Sequence, residues 1–210
     1  AGAAEPGAAA RLGEARDGGD DGVATDTGTP LSTESLRAFI GHTDEVNTVT
    51  WSPSRELLAS CSDDCTAKVW KLQSSAPLLD LRQHTKEIYT TTWTPTGEGS
   101  ANPSLPLRLV TASFDSTVKL WDVEVGMCVH TLARGNNNQP VYGIACSPDG
   151  RYLASGSLGG NLCIWSMSDG NMVRKFQGTG DIYDVAWSST GMFCAACFSS
   201  GKVALLEMRA

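Results

Sequence analysis

The feature that most constrains this chain is a four-fold echo, in which an apolar strand, a turn and a further strand ending in Trp return about every 42 residues. The copies are GHTDEVNTVTWSPSRELLASCSDDCTAKVWKL (41–72), QHTKEIYTTTWTPTG…LRLVTASFDSTVKLWDV (83–123), NQPVYGIACSPDGRYLASGSLGGNLCIWSM (138–167) and TGDIYDVAWSSTGMFCAACFSSGKVALLEM (179–208). All six tryptophans sit on that lattice. Trp51, Trp93 and Trp187 close the first strand of three copies, with Cys146 in that place in the third; Trp70, Trp121 and Trp165 close the third strand, with Leu206 in the fourth copy. The second copy is longer because GEGSANPSLP (97–106), rich in Gly, Ser and Pro, lengthens its turn.

The strand assignments are local and physical. VNTVTW (46–51) is β-branched and aromatic, and the Ser-Pro or Pro-Asp-Gly that follows such runs is turn chemistry. Short strands repeating with this period describe the blade of a β-propeller, so the chain is expected to be all-β with four blades. Propellers run from four to eight blades, so four copies are either a small ring or part of a larger one. The expected division is a disordered segment over 1–35 and a propeller fragment over 36–210, with repeats at about 41–81, 83–132, 135–176 and 178–210. Residues 36–40 read as the outer strand of an absent blade; the alternative is that they pair with the fourth blade and close a small ring. The chain begins with Ala, which suggests a fragment.

Residues 1–30 are a different material. Ala and Gly fill half of them, with six acidic and two basic residues and almost nothing large and apolar, so burial cannot offset the entropy of ordering. The stretch fits neither an Arg-rich transit peptide nor an apolar secretory signal. The chain as a whole is ordinary for a globular protein, at 41% hydrophobic and 19% charged, with no apolar run near a membrane span. The net charge of −7 disfavours a broad phosphate-binding surface and points to proteins as partners, without direct nucleic acid or membrane contact.

The seven cysteines fall mostly in predicted strands beside Ala, Val and Ile, as reduced core residues do. Cys194 and Cys197 form C-x-x-C, but residues three apart on a strand face opposite ways, so no metal site is expected there or elsewhere. No cofactor is expected either, since no phosphate loop or metal cluster is visible.

The first two copies each carry His, a hydroxyl residue, Asp and Trp in fixed order: His42, Ser60, Asp64, Trp70, then His84, Thr111, Asp115, Trp121. The set imitates a Ser-His-Asp triad. It occurs twice, however, whereas an enzyme needs one activated nucleophile in one cleft, so the chain is read as non-enzymatic. The third copy keeps only Ser155 and Trp165, with Gly159 where Asp is expected, and the fourth has Ala196, Ser200 and Leu206 in the network positions. His130, on the expected outer strand 127–132, reads as a surface histidine.

The GH dipeptide, the Asp six residues before Trp, and WK, WD and WS at 70–71, 121–122 and 165–166 resemble the WD-repeat family over 36–210. Within it, KEIYTTTWTPTG, SANP, SFDSTVKLWDVE, PVYGIACSPDGRYLASGS and GTGDIYDVAWSSTG resemble the last four repeats of the transducin β-like proteins. The resemblance implies that the repeated His, hydroxyl, Asp and Trp form a closed structural tetrad rather than a reaction centre, and that these four blades are half of a seven- or eight-bladed ring. It further implies a nuclear scaffold of histone-deacetylase co-repressor complexes, linked to ubiquitin-dependent exchange of co-regulators. Upstream dimerising and F-box-like segments belong to that family, and nothing in 1–35 resembles them. Two other roles stay open: substrate receptor of a ubiquitin ligase, and a generic scaffold in RNA processing or signalling.

Partners of a propeller meet the loops at the mouth of its channel. Near the start of the first strands stand Asn47, Tyr89, Tyr142 and Tyr183, and two residues earlier Glu45, Glu87, Pro140 and Asp181. Alternation puts both sets on one side, and the family's geometry implies that Asp63, Phe114, Leu158 and Ser199 join the same rim. Tyrosines flanked by carboxylates suit a basic peptide, such as a histone tail or a co-repressor segment. The opposing expectation is that the tyrosines simply fill the channel.

Overall fold

The computed structural model describes residues 37–135 and 139–208, so the disorder expected over 1–35 lies outside the described residues. Residues 38–210 form one compact unit. Its strands are β1 (Val46–Trp51), β2 (Leu57–Ser62), β3 (Ala67–Lys71) and β4 (Leu79–Leu81); β5 (Ile88–Trp93), β6 (Arg108–Ser113), β7 (Thr117–Asp122) and β8 (Met127–Ala133); β9 (Val141–Cys146), β10 (Tyr152–Ser157), β11 (Asn161–Ser166) and β12 (Met172–Gln177); and β13 (Ile182–Trp187), β14 (Phe193–Phe198) and β15 (Val203–Glu207). They make three four-stranded antiparallel sheets and one of three strands, each in simple sequence order, with no helix among the described residues. Each sheet is one blade.

The core lies between blades. On β10, Leu153 packs with β6 and β7 residues such as Val110 and Leu120, while its neighbour Ala154 packs with Ile182 and Val185 of the fourth blade. On β7, Leu120 faces the third blade and Trp121 faces Val69 and Ala59 of the first. Because successive residues of a strand point to opposite faces, a middle strand covered on both sides must be apolar or small at every position. β10 and β11 therefore show no polar alternation. The outer strand β12, in contrast, is exposed throughout.

Adjacent blades are also latched by hydrogen bonds. The Trp93 indole N–H donates to the Thr50 carbonyl at 3.0 Å, and the Trp187 indole N–H donates to the Ala145 carbonyl at 3.0 Å, each reaching back one blade. Asn47 Nδ2 donates to the Ile88 carbonyl at 3.1 Å, and the Thr48 hydroxyl to the Tyr89 carbonyl at 3.0 Å. Trp51, with no preceding blade among the described residues to reach, leaves 49% of its surface exposed.

Residues 37–40 carry no strand, so the outer-strand expectation for 36–40 is corrected for all of it that is described. Phe39 instead packs its ring on Trp70 of the first blade, centroids 5.4 Å apart, because that indole offers an apolar face at the blade's edge. β15 pairs with β14 alone among the described residues, which leaves no support for the small closed ring.

Candidate functional site

The two complete His, hydroxyl, Asp and Trp sets are closed networks. In the first, His42 Nδ1 lies 2.8 Å from Asp64 Oδ2, His42 Nε2 lies 2.8 Å from Ser60 Oγ, and the Trp70 indole N–H donates to Ser60 Oγ at 2.8 Å. In the second, the distances are 2.7 Å from His84 to Asp115, 2.8 Å from His84 to Thr111, and 2.9 Å from Trp121 to Thr111. An ionised Asp only accepts, which assigns the imidazole proton to Nδ1; the hydroxyl then donates to Nε2 and accepts from Trp. Each polar side-chain atom of the network has its partner, and the hydroxyl proton is already committed to Nε2 of an imidazole that is held in turn by a carboxylate.

Burial pushes both Asp carboxyls up, but donors outweigh it. Thr66 and His42 side chains and the Thr43 and Thr66 amides hold Asp64 well below the usual carboxylate range, and His84, Thr117 and the Thr85 amide do the same for Asp115. In the third blade Trp165 still donates to Ser155 Oγ at 2.8 Å. The missing His and Asp are replaced by other means: Asp181 accepts from the Gly159 amide at 2.7 Å, and Gln177 donates to the Gly159 carbonyl at 2.7 Å. In the fourth blade Ala196 is simply buried among apolar residues.

The rim is built by a motif present in all four blades. The amides of Asp63, Phe114, Leu158 and Ser199 donate to the carbonyls of Glu45, Glu87, Pro140 and Asp181, at 3.0, 3.0, 2.9 and 2.8 Å. One backbone bond per blade therefore joins the two sets of residues that the repeat phase singles out. In each first strand the ladder register slips at one residue, and these are Asn47, Tyr89, Tyr142 and Tyr183. The strict alternation expected there is thus corrected: a bulge at each position frees the side chain from the pleat and re-aims it.

What the bulges bring together is a run of rings. Tyr89 and Tyr142 have centroids 3.8 Å apart, Tyr142 and Tyr183 5.7 Å, and Phe114 lies 6.0 Å from Tyr89 and 5.9 Å from Tyr142. Tyr183 is 50% exposed, while Tyr89, Phe114 and Tyr142 are partly buried. Burial, then a hydrogen bond with Tyr89, pushes the Tyr142 phenol up to about 12. Leu158 is partly buried beside this run in sequence phase.

The first blade departs from the aromatic pattern. Asn47 donates to Asp63 Oδ1 at 2.6 Å, tying an amide to a carboxylate where the others stack rings. Glu45 and Glu87 are exposed, whereas the Asp181 carboxylate turns to the Gly159 amide. The acidity of this end is felt at Cys65, whose thiol is pushed up by burial and then by the charges of Glu87, Asp64, Asp115 and Asp63. The latching tryptophans, Gln177 and the bulges escaped sequence reasoning; a slip of one residue leaves no mark in hydropathy.

Cys194 is buried and Cys197 exposed, on opposite faces of β14. Burial pushes the Cys61 and Cys146 thiols up to about 12 and Cys194 to about 11. No group of three or more His, Cys, Asp or Glu side chains among the described residues could hold a metal ion.

The family of the WD domain, G-beta repeat, matches residues 33–71, 75–122, 126–166 and 170–205. The chain is 49% identical over 177 residues to WD40 repeat-containing protein HOS15 of Arabidopsis thaliana, and 49% identical over 174 residues to F-box-like/WD repeat-containing protein TBL1X of Mus musculus. These alignments take in 84% and 83% of this chain but 28% and 33% of the relatives, so the chain spans about a third of their length. Among solved structures, the C-terminal WD40 domain of Sif2 superposes with a TM-score of 0.69 at 18% identity, over 81% of this chain and 48% of that one, a likeness of fold. Four matched repeats, four blades and this identity place the chain in the WD-repeat family, in the group that resembles TBL1X and HOS15.

Proposed function

We propose that this WD-repeat scaffold binds protein partners at the aromatic rim and serves a nuclear histone-deacetylase co-repressor complex, without catalysis of its own. The observation that carries the binding surface is the run Tyr89, Phe114, Tyr142 and Tyr183 beside the exposed carboxylates Glu45 and Glu87. Tyrosine offers a large rigid contact at low entropic cost, and the surrounding carboxylates select Lys and Arg on the partner. A basic peptide such as a histone tail has that chemistry. The co-repressor role and the nucleus come from the resemblance to transducin β-like proteins, and the 49% identity to TBL1X supports them.

The test is binding of a basic histone-tail peptide to the chain and to Tyr89→Ala, Tyr142→Ala and Tyr183→Ala. Each should lose more than about 1 kcal/mol, roughly fivefold in affinity. Unchanged affinity in all three would sink the rim. A second reading, substrate receptor for a ubiquitin ligase, draws on the F-box-like designation of TBL1X, and uses the same rim to hold a target.

A further inference from the structure

The opposite ends of the strands hold a second feature. Between the second and third blades lies a cleft of about 370 Å³, lined by residues that follow β5 and β9 and by the turn after β11. That volume falls within the range of about 300 to 1,000 Å³ that ligand sites occupy. The rim residues begin β5 and β9, so six-residue strands set the two sites about 17 to 20 Å apart.

The cleft is built by the long turn that distinguishes the second blade. Asn102 Nδ2 donates to the Pro95 carbonyl at 2.8 Å and across the blade boundary to the Pro148 carbonyl at 2.9 Å, which holds the turn against the third blade. Thr96 donates to the Pro106 carbonyl at 2.8 Å and Thr94 to the Arg108 carbonyl at 3.2 Å, so both threonines are committed to shaping the wall. Gly150, at φ +70°, packs so closely that a Cβ there would lie 2.6 Å from Thr96 Cγ2. The turn thus leaves a defined wall ending in Leu105, which is 40% exposed.

The charge of the cleft is opposite to that of the chain. Arg108 and Arg151 line it and no carboxylate does, although the chain carries −7 overall. Arg108 donates from Nη1 to the Met167 carbonyl at 3.0 Å, and its enclosed Nε–H has no acceptor. Asp122 stands across the ladder from Arg108, but its Oδ1 accepts from the Glu124 and Val125 amides, and none of the ion pairs among the described residues joins it to Arg108. A guanidinium is always charged, and a partly enclosed one without a counter-ion is a costly arrangement that an incoming carboxylate relieves. Arg151 at the mouth, 77% exposed, is held by Asp149 only in a long ion pair at 4.0 Å, from which an incoming carboxylate can draw it.

We infer that this cleft binds a short acidic peptide segment, an Asp or Glu side chain pairing with Arg108 while a neighbouring apolar side chain lies on Leu105 and Pro106. Acidic partner segments and basic ones then engage opposite ends of the same blades.

The test is an NMR titration of the full 15N-labelled chain with the blocked tripeptides acetyl-Leu-Asp-Leu-amide and acetyl-Leu-Asn-Leu-amide. Saturable shifts should gather at residues 94–96, 105–108, 150–152 and 166–168, at least tenfold tighter for the Asp peptide. Arg108→Gln should weaken that binding at least tenfold, and Arg151→Gln, whose side chain is too exposed to matter for folding, a few-fold. Tyr89→Ala at the rim should leave it unchanged, which separates this site from the other. Equal response to the Asn peptide, an unaffected Arg151→Gln together with an unaffected Arg108→Gln, or stronger binding of a phosphate-bearing probe such as a short oligonucleotide would each overturn the assignment.

Discussion

At the scale of single residues, the tetrads turn an apparent reaction centre into a structural one. His84 is buried, its Asp115 side chain is almost so, and the polar atoms of the network close on one another. Replacing Asp115 by Ala strands the His84 Nδ1–H and the amides of Thr85 and Thr117 together. The expected cost is about 3 kcal/mol, read as a lowered urea midpoint at pH 7. The depressed carboxyls of Asp64 and Asp115 also set an acid dependence. A carboxyl held below its unfolded value of about 3.9 contributes its full stability above that pH and loses it progressively as pH falls toward the folded value. Urea midpoints should therefore decline below about pH 4, and Asp115→Ala should show a shallower decline than the parent chain.

At the scale of elements, the two inner blades are covered on both faces by their neighbours, and side-chain size at the contact sets how near the blades come. Gly156 on β10 illustrates this: a Cβ there would lie 2.2 Å from Ile182 Cγ2 and 3.1 Å from Val185 Cγ1 of the next blade. The equivalent position on β6 is Ala112, which packs against the third blade without such a clash. Gly156→Ala should cost about 1 to 3 kcal/mol by overpacking. Hydrogen exchange would locate it, with β13 amides losing protection while β1 and β2 amides keep theirs. An equal loss in all four blades would mean that they unfold as one unit.

At the scale of the whole molecule, two flanks are open among the described residues. β1 exposes Val46, Val49 and Trp51 at 50%, 62% and 49%, and β15 exposes Val203 and Leu205 at 76% and 66%. Apolar faces and an unpaired strand edge of this kind are what natural sheets normally cover. The 210-residue chain by itself should therefore self-associate as concentration rises. Val49→Lys or Leu205→Lys should shift it toward monomer in light scattering, and an unchanged mass distribution would refute the role of these flanks.

Much of this was legible in the letters, for a physical reason. A blade is a local object: its strands pair in sequence order, so the period, the turn chemistry and the order His, hydroxyl, Asp, Trp carry its register within about 40 residues. The phase that sets Tyr89, Tyr142 and Tyr183 apart is likewise a property of the repeat. What the tertiary structure decided lies between blades. Whether Trp93 finds the Thr50 carbonyl, how bulges bring Tyr89 and Tyr142 to 3.8 Å, that Phe39 takes Trp70 in place of a strand, and that the Arg108 Nε–H finds no acceptor among the described residues all depend on how two sheets approach. Hydrophobic period reports which face is covered; the distance and angle at which the next sheet covers it are settled only by packing.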